Sequence, residues 1–226
     1  MMRCVWCKQP IIKNLTIMEM IYPFSLQKQT LCKTCQKKFE RLEGGCLLCG
    51  KKGQPTICSD CQFWQKKYPD YSFKHEALYR YNDGFQEWIE QYKYQGDYQL
   101  RYTFSNELKR YFKDKRNLLV IPIPLSNEKQ KKRGFNQVEA ILDATNIKYQ
   151  RFLLKKNDTI PQAKKSRYER LKMAQPFILH VDGKLIENQE IILVDDIYTT
   201  GRTLFYAAEC LLPYHPKQIM TFSLAR

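Results

Sequence analysis

Four Cys-x-x-Cys pairs near the start of the chain constrain its fold more than any other feature. Eight of the nine cysteines lie before residue 62, as Cys4/Cys7, Cys32/Cys35, Cys46/Cys49 and Cys58/Cys61. Two residues between thiolates let one tight turn aim both sulfurs at the same cation, and two such turns close a tetrahedron around zinc. Four turns therefore supply two sites. Successive closure, joining Cys4/Cys7 to Cys32/Cys35 and Cys46/Cys49 to Cys58/Cys61, is favoured because the 46–61 loop is short and costs little to close. A cross-braced arrangement would interleave the pairs. With sulfur at all four positions, neither site keeps a place open for water or substrate, so both zinc ions read as structural. Residues 1–61 are polar and too short to form a good core without metal. Cys210 stands alone in a later apolar helix and reads as a core residue.

Thiols in this spacing indicate metal or redox chemistry in a reducing compartment rather than a disulfide framework. No apolar run approaches the ~18 residues that cross a bilayer. Cys4-Val5-Trp6-Cys7 falls where a leader would need an unbroken apolar segment, so the expected compartment is the cytoplasm. Any membrane association is expected to be peripheral, through partners. The formal net charge is +15, and eight thiolates around two Zn²⁺ lower it to about +11. The chain stays basic, which favours polyanions such as nucleic acid or phosphorylated metabolites.

Beyond the cysteines the pattern changes. Residues 63–75 read as a connector after a 1–62 metal module, and residues 76–226 as the larger domain. Ala77 to Tyr81 reads as a strand. Phe85 to Tyr94 has helical spacing, with Phe85, Trp88, Ile89 and Tyr92 on one face. Asp97 is placed to cap a second helix reaching Phe112. Strands follow at Leu118–Ile123, Tyr149–Leu154, Ile191–Val194 and Gln218–Leu224, and helices at Asn136–Ala144 and Thr203–Leu212. Lys129 to Gly134 is a basic lead-in, Lys155 to Ser166 a polar loop, and Tyr168 to Met173 a short helix. Strands alternating with helices predict an α/β fold with a mainly parallel sheet.

The richest segment runs from Ile191 to Thr203. An apolar strand ends in Asp195 and Asp196, at the carboxyl edge where open α/β sheets bind ligands. Tyr198-Thr199-Thr200-Gly201-Arg202-Thr203 follows and enters a helix, so backbone N–H groups and threonine hydroxyls can face an anion. Carboxylates for hydroxyls or Mg²⁺ beside a phosphate cradle suit a ribose phosphate. The segment resembles the thirteen-residue PRPP-binding signature of type I phosphoribosyltransferases. That resemblance implies that Asp195 and Asp196 hold the ribose hydroxyls. It gives the 5-phosphate to Thr199, Thr200, Gly201, Arg202 (through its backbone) and Thr203.

The likeness extends further. The four cysteine pairs, Lys93-Tyr94-Gln95-Gly96-Asp97, Ile121-Pro122-Ile123-Pro124-Leu125, Arg133-Gly134-Phe135-Asn136-Gln137, Gln162 and Glu169-Arg170 together resemble the ComF competence family. That family joins an N-terminal double zinc ribbon to a phosphoribosyltransferase-like domain. The implied fold is type I phosphoribosyltransferase-like, a mainly parallel sheet with helices on both faces, preceded by a small zinc-ribbon module. The resemblance puts pyrophosphate beside Arg133, Lys131 and Lys132, and Gln162 and Arg170 in a segment over the active site. The family often has Asn shortly after the Glu-Arg pair, where this chain reads Leu171-Lys172-Met173.

Three functions are consistent with these residues. The first is a late competence protein of natural transformation that helps bring single-stranded DNA into the cytoplasm and carries a PRPP pocket. The stretch from Tyr92 to Tyr102 mixes aromatic and basic residues, as single-strand-binding surfaces do. No Gly-x-x-x-x-Gly-Lys-[Ser/Thr] loop is present, so a separate ATPase would power transport. The resemblance implies the competence helicase ComFA as that partner. The second is a phosphoribosyltransferase of base salvage, with Mg²⁺ neutralising pyrophosphate. The third is a zinc-dependent scaffold with a relic pocket.

Overall fold

A computed structural model describes residues 2–12, 18, 21, 29–156 and 175–226. Its strands are β1 (His75–Tyr79), β2 (Leu119–Pro122), β3 (Leu153–Lys155), β4 (Phe177–Leu179), β5 (Glu190–Ile197) and β6 (Gln218–Ala225). Its helices are α1 (Lys33–Gln36), α2 (Ser59–Lys67), α3 (Asp83–Tyr94), α4 (Ser105–Tyr111), α5 (Asn127–Arg133), α6 (Gln137–Thr145) and α7 (Arg202–Leu211). Four strands form one sheet in the order β1-β6-β5-β2, every pair parallel. Parallel neighbours need crossovers, and helices supply them. A separate antiparallel pair, β3 with β4, stands off the main sheet.

The apolar run in β5 is continuous because both faces of the sheet are covered. Ile192 and Val194, with Phe222 and Leu224 of β6, meet Phe85, Trp88, Leu108, Val138 and Ile141. Ile191, Leu193 and Ile219 face the other way, against Leu204, Phe205, Ala208 and Leu211. The cysteine-bearing segment enters both cores. Trp6 and Phe39 join the first, where Phe39 meets Phe104 edge-on with ring centres 4.9 Å apart. The 46–61 cysteines and Trp64 join the second, together with Tyr71 and Phe73 from the expected connector. The two cysteine groups thus lie against opposite faces of one sheet.

Helix α3 follows its predicted face: Phe85, Trp88, Ile89 and Tyr92 are buried, and Asn82 caps it by accepting the Phe85 N–H at 3.0 Å. Other elements differ. Asp97 caps only a 3₁₀ turn, Tyr98–Tyr102, and α4 starts afresh at Ser105. The break has a cause: the Thr103 carbonyl accepts from the Thr30 hydroxyl at 2.9 Å, and the Thr103 hydroxyl accepts from the Trp88 indole at 2.9 Å. The strand expected at Tyr149–Leu154 is confined to Leu153–Lys155 and pairs with β4 instead of the main sheet. The basic lead-in is a helix of its own, α5, held by a Ser126 cap and by Gly134 at φ +82°, with no buried residue. Strand β5 continues through both acids, since Ile197 still pairs with Ala225. The loop expected after Lys156 and the helix at Tyr168–Met173 lie outside the described residues.

Candidate functional site

The cysteines close successively. Cys4, Cys7, Cys32 and Cys35 form one group and Cys46, Cys49, Cys58 and Cys61 the other, with sulfurs within 4.8 Å of one another in each. A tetrahedron with Zn–S of about 2.3 Å has edges of about 3.8 Å. The Sγ separations are 3.7 Å for Cys7–Cys32, 3.8 Å for Cys46–Cys61 and 3.7 Å for Cys49–Cys58. Backbone N–H groups already point at the cages: Cys35 N donates to Cys32 Sγ at 3.5 Å and Cys58 N to Cys46 Sγ at 3.3 Å. Arg226 Nη2 donates to Cys49 Sγ at 3.3 Å, a charge-assisted bond suited to a metal-bound thiolate. Both groups therefore fit zinc, and four sulfurs make each a closed structural site. Cys210 is half-buried, and burial pushes its thiol up, away from reactivity.

Asp195 and Asp196 lie at the carboxyl end of β5, and strand alternation sends them to opposite faces. Asp196 is buried at 5% exposure. Its Oδ2 accepts from Gln137 Nε2 at 2.6 Å and pairs with Lys93 Nζ at 2.7 Å. Asp196 is thus committed to an internal network and does not stand free at an open strand end. Asp195 is part-buried. Burial, and after it the Asp196 carboxylate, push it up to about 7 against the pull of Lys93. Its Oδ1 accepts the Asp196 N–H at 2.9 Å.

The Arg133–Gln137 motif builds this network residue by residue. Gly134 ends α5 in the left-handed region. Phe135 packs on Tyr92 and Tyr98, with ring centres 5.3 and 5.0 Å away. Asn136 caps α6, accepting from Val138 N at 2.9 Å and donating to the Ile123 carbonyl at 3.1 Å. Gln137 is thereby fixed; it accepts from Arg133 and donates to Asp196. The Arg133 guanidinium lies 5.9 Å from the Tyr94 ring centre, while Lys131 and Lys132 are exposed. In the Lys93–Asp97 motif, Lys93 reaches Asp196 and Asp97 takes Lys8 Nζ at 2.8 Å. The sequence motifs contain Lys93 and Gln137 but give neither a role. One cation in the last turn of an amphipathic helix, and one amide after a cap, carry no spacing signal.

After β5, Tyr198 is buried and Thr199, Thr200 and Thr203 are exposed. Gly201 sits at φ +78°, and a Cβ there would overlap the Tyr198 ring and hydroxyl. Position 201 thus requires glycine for backbone angle and for space. Among the described residues no side chain caps α7, which begins at Arg202, and an uncapped helix N-terminus is electrostatically suited to an anion. Trp64 Nε1 donates to the Thr200 carbonyl at 2.8 Å. Gln162 and Arg170 lie outside the described residues.

On the expected single-strand surface, Tyr92 and Leu100 are core residues, both at 0% exposure. Tyr94 and Tyr98 are exposed. The Arg101 guanidinium sits 4.1 Å from the Tyr98 ring centre and 4.7 Å from that of Tyr102. His75, which the sequence left without a role, is buried between Thr221 Oγ1 and Ser223 Oγ, at 3.0 Å from each. Burial, helped by Arg226, holds it down to about 3, so it is neutral and structural. Among the described residues no helix is long and apolar enough to cross a membrane.

Residues 143–226, which contain β5, the loop around Gly201 and α7, match the phosphoribosyl transferase domain family. The whole chain is similar to competence protein ComFC of Streptococcus pneumoniae, at 35% identity over 100% of both chains. It is 33% identical to competence protein ComFC of Bacillus subtilis, over 81% of this chain and 78% of that one. Competence protein F of Haemophilus influenzae is 27% identical over 89% of this chain and 92% of that one. With a relative matched from end to end, two cysteine cages that fit zinc and a phosphoribosyltransferase-like parallel sheet, the chain belongs to the ComFC family of competence proteins.

Proposed function

We propose that this competence protein handles incoming single-stranded DNA on the cytoplasmic side of the membrane and binds PRPP, or a ribose 5-phosphate end, in the pocket beside β5. One observation carries the reading: an acid pair at the sheet's carboxyl edge leads directly into a glycine-bearing loop and a helix start that no side chain among the described residues caps. The Thr199, Thr200 and Thr203 hydroxyls and the N–H groups around Gly201 would hold the 5-phosphate. Asp195 is the acid left to accept a ribose hydroxyl, because Asp196 is occupied by Lys93 and Gln137. Lys93 supplies next to the acids the positive charge that Mg²⁺ would otherwise bring. Mg²⁺ would arrive with the pyrophosphate of PRPP, near Lys131 and Lys132. Zinc, bound by the eight thiolates, supplies rigidity and no chemistry.

DNA would follow the exposed basic helix α5 and the neighbouring Tyr94, Tyr98, Arg101 and Tyr102, with phosphates on lysines and bases on rings. ComFA is the proposed ATPase, since this chain has no P-loop. The test is transformation frequency in a strain whose chromosomal copy carries Asp195→Ala, with protein level and zinc content matched. A collapse supports the reading. Unchanged transformation detaches the pocket from DNA uptake. Pyrophosphate release from PRPP with a nucleobase would move the protein to base salvage.

A further inference from the structure

Two routes lead from the Cys46–Cys61 cage to the phosphate loop. The first runs along α2. Cys58 precedes the helix, Cys61 lies in its first turn, and Trp64 follows Cys61 by three residues on the same side. The Trp64 indole stacks on Phe205 of α7, with centres 4.3 Å apart and planes 13° apart. Its N–H meets the Thr200 carbonyl at 2.8 Å. The indole therefore both packs on α7 and holds a loop carbonyl. The second route runs from Cys49 Sγ through Arg226 to Tyr198. The Arg226 guanidinium lies 4.8 Å from the Tyr198 ring centre, and the Tyr198 ring abuts Gly201. The loop is therefore gripped at Tyr198 and Thr200 by groups set in place by one metal cage.

We propose that Trp64 is a positioning residue for the phosphate loop, and that metal in the Cys46–Cys61 cage sets the loop's affinity for a ribose 5-phosphate end. This rests on the phosphoribosyl reading above. Coupling of this kind is reciprocal: if the closed cage favours ligand, ligand holds metal in the cage by the same factor. Among the described residues the Cys4–Cys35 cage, against the other face of the sheet, shows no such link, and it is expected to be indifferent.

The test uses the zinc-loaded full chain and PRPP. Trp64→Phe keeps a smaller ring in the stack and removes the donor. It should weaken PRPP binding about 3- to 10-fold, the usual worth of one hydrogen bond, with two zinc ions still bound. In protein labelled with 5-fluorotryptophan, the Trp64 fluorine signal should move as PRPP saturates, while those of Trp6 and Trp88 stay put. In wild type alone, PRPP should raise the chelator concentration that removes one of the two zinc ions and leave the other unaffected. Equal PRPP affinity in Trp64→Phe, an unmoved Trp64 signal at saturation, or chelation insensitive to PRPP would each overturn the proposal while the pocket stands. Failure of wild type to bind PRPP at all would overturn the pocket reading, and this proposal with it.

Discussion

Asp195→Asn is expected to make the protein more stable while weakening its ligand affinity, and the gain should depend on pH in a defined way. Burial and the Asp196 charge raise the Asp195 carboxyl to about 7, from 3.8 in an exposed chain. The folded state therefore holds a proton that the unfolded state has released. Stability from this group is fully present below the unfolded value, falls as pH rises, and is lost once pH passes about 7. The stability lost through this titration is about 2 kcal/mol near pH 5.5, where the folded state still keeps the proton, and about 4 kcal/mol near pH 8, where it is ionised. Asparagine has the same shape and no charge, so the variant escapes this cost. Urea unfolding of zinc-loaded wild type and variant should show a stability gap that widens by about 2 kcal/mol between these two pH values. Because both proteins carry the same thiolates, the pH dependence of zinc binding cancels in the gap. A gap that stays constant with pH, or an asparagine variant less stable near pH 8, would refute the argument that the site holds a strained acid.

Lys93→Met should destabilise by about 3 kcal/mol, because it leaves the Asp196 carboxylate buried without its cation. Adding Asp196→Asn should restore most of that loss in a chemical-denaturation double-mutant cycle. Elemental analysis should find about two zinc ions per chain, and a strong chelator should unfold the protein, read as loss of far-ultraviolet dichroism. Lys131→Glu with Lys132→Glu, on a helix with no buried residue, should leave the melting temperature unchanged. The same pair should weaken binding to single-stranded oligonucleotide and reduce the salt slope of log K by about 1.4.

Cysteine spacing alone makes the metal cages legible, because ligand chemistry fixes spacing locally. Short-loop closure also favours the pairing that the cages adopt. The sheet is legible from Ile191–Val194 and Gln218–Leu224, whose apolar residues have no other place to go. The site is legible where its parts are contiguous, from Asp195 to Thr203. It is not legible where distant segments meet. Lys93 and Gln137 lie 103 and 59 residues before Asp196 in the chain, and nothing in their local sequence shows which acid they serve. The same holds for Trp64, whose partner Thr200 is 136 residues away. Thr103 shows the reverse error: a good helical pattern from Asp97 to Phe112 breaks because Thr30 and Trp88 claim the hydrogen-bonding groups of one residue. Tyr92, read as part of a nucleic-acid surface, is buried with its hydroxyl on the Gln137 carbonyl at 2.9 Å.

Calorimetric titration of PRPP into the zinc-loaded protein, beside Asp195→Ala with the same zinc content, tests the central claim most directly. Saturable one-to-one binding by wild type, weakened at least about tenfold in the variant by loss of a hydrogen-bonded, charged partner, is the predicted result. Absence of binding to wild type, or equal affinity in the two proteins, would contradict the assignment of this pocket to a phosphoribosyl ligand.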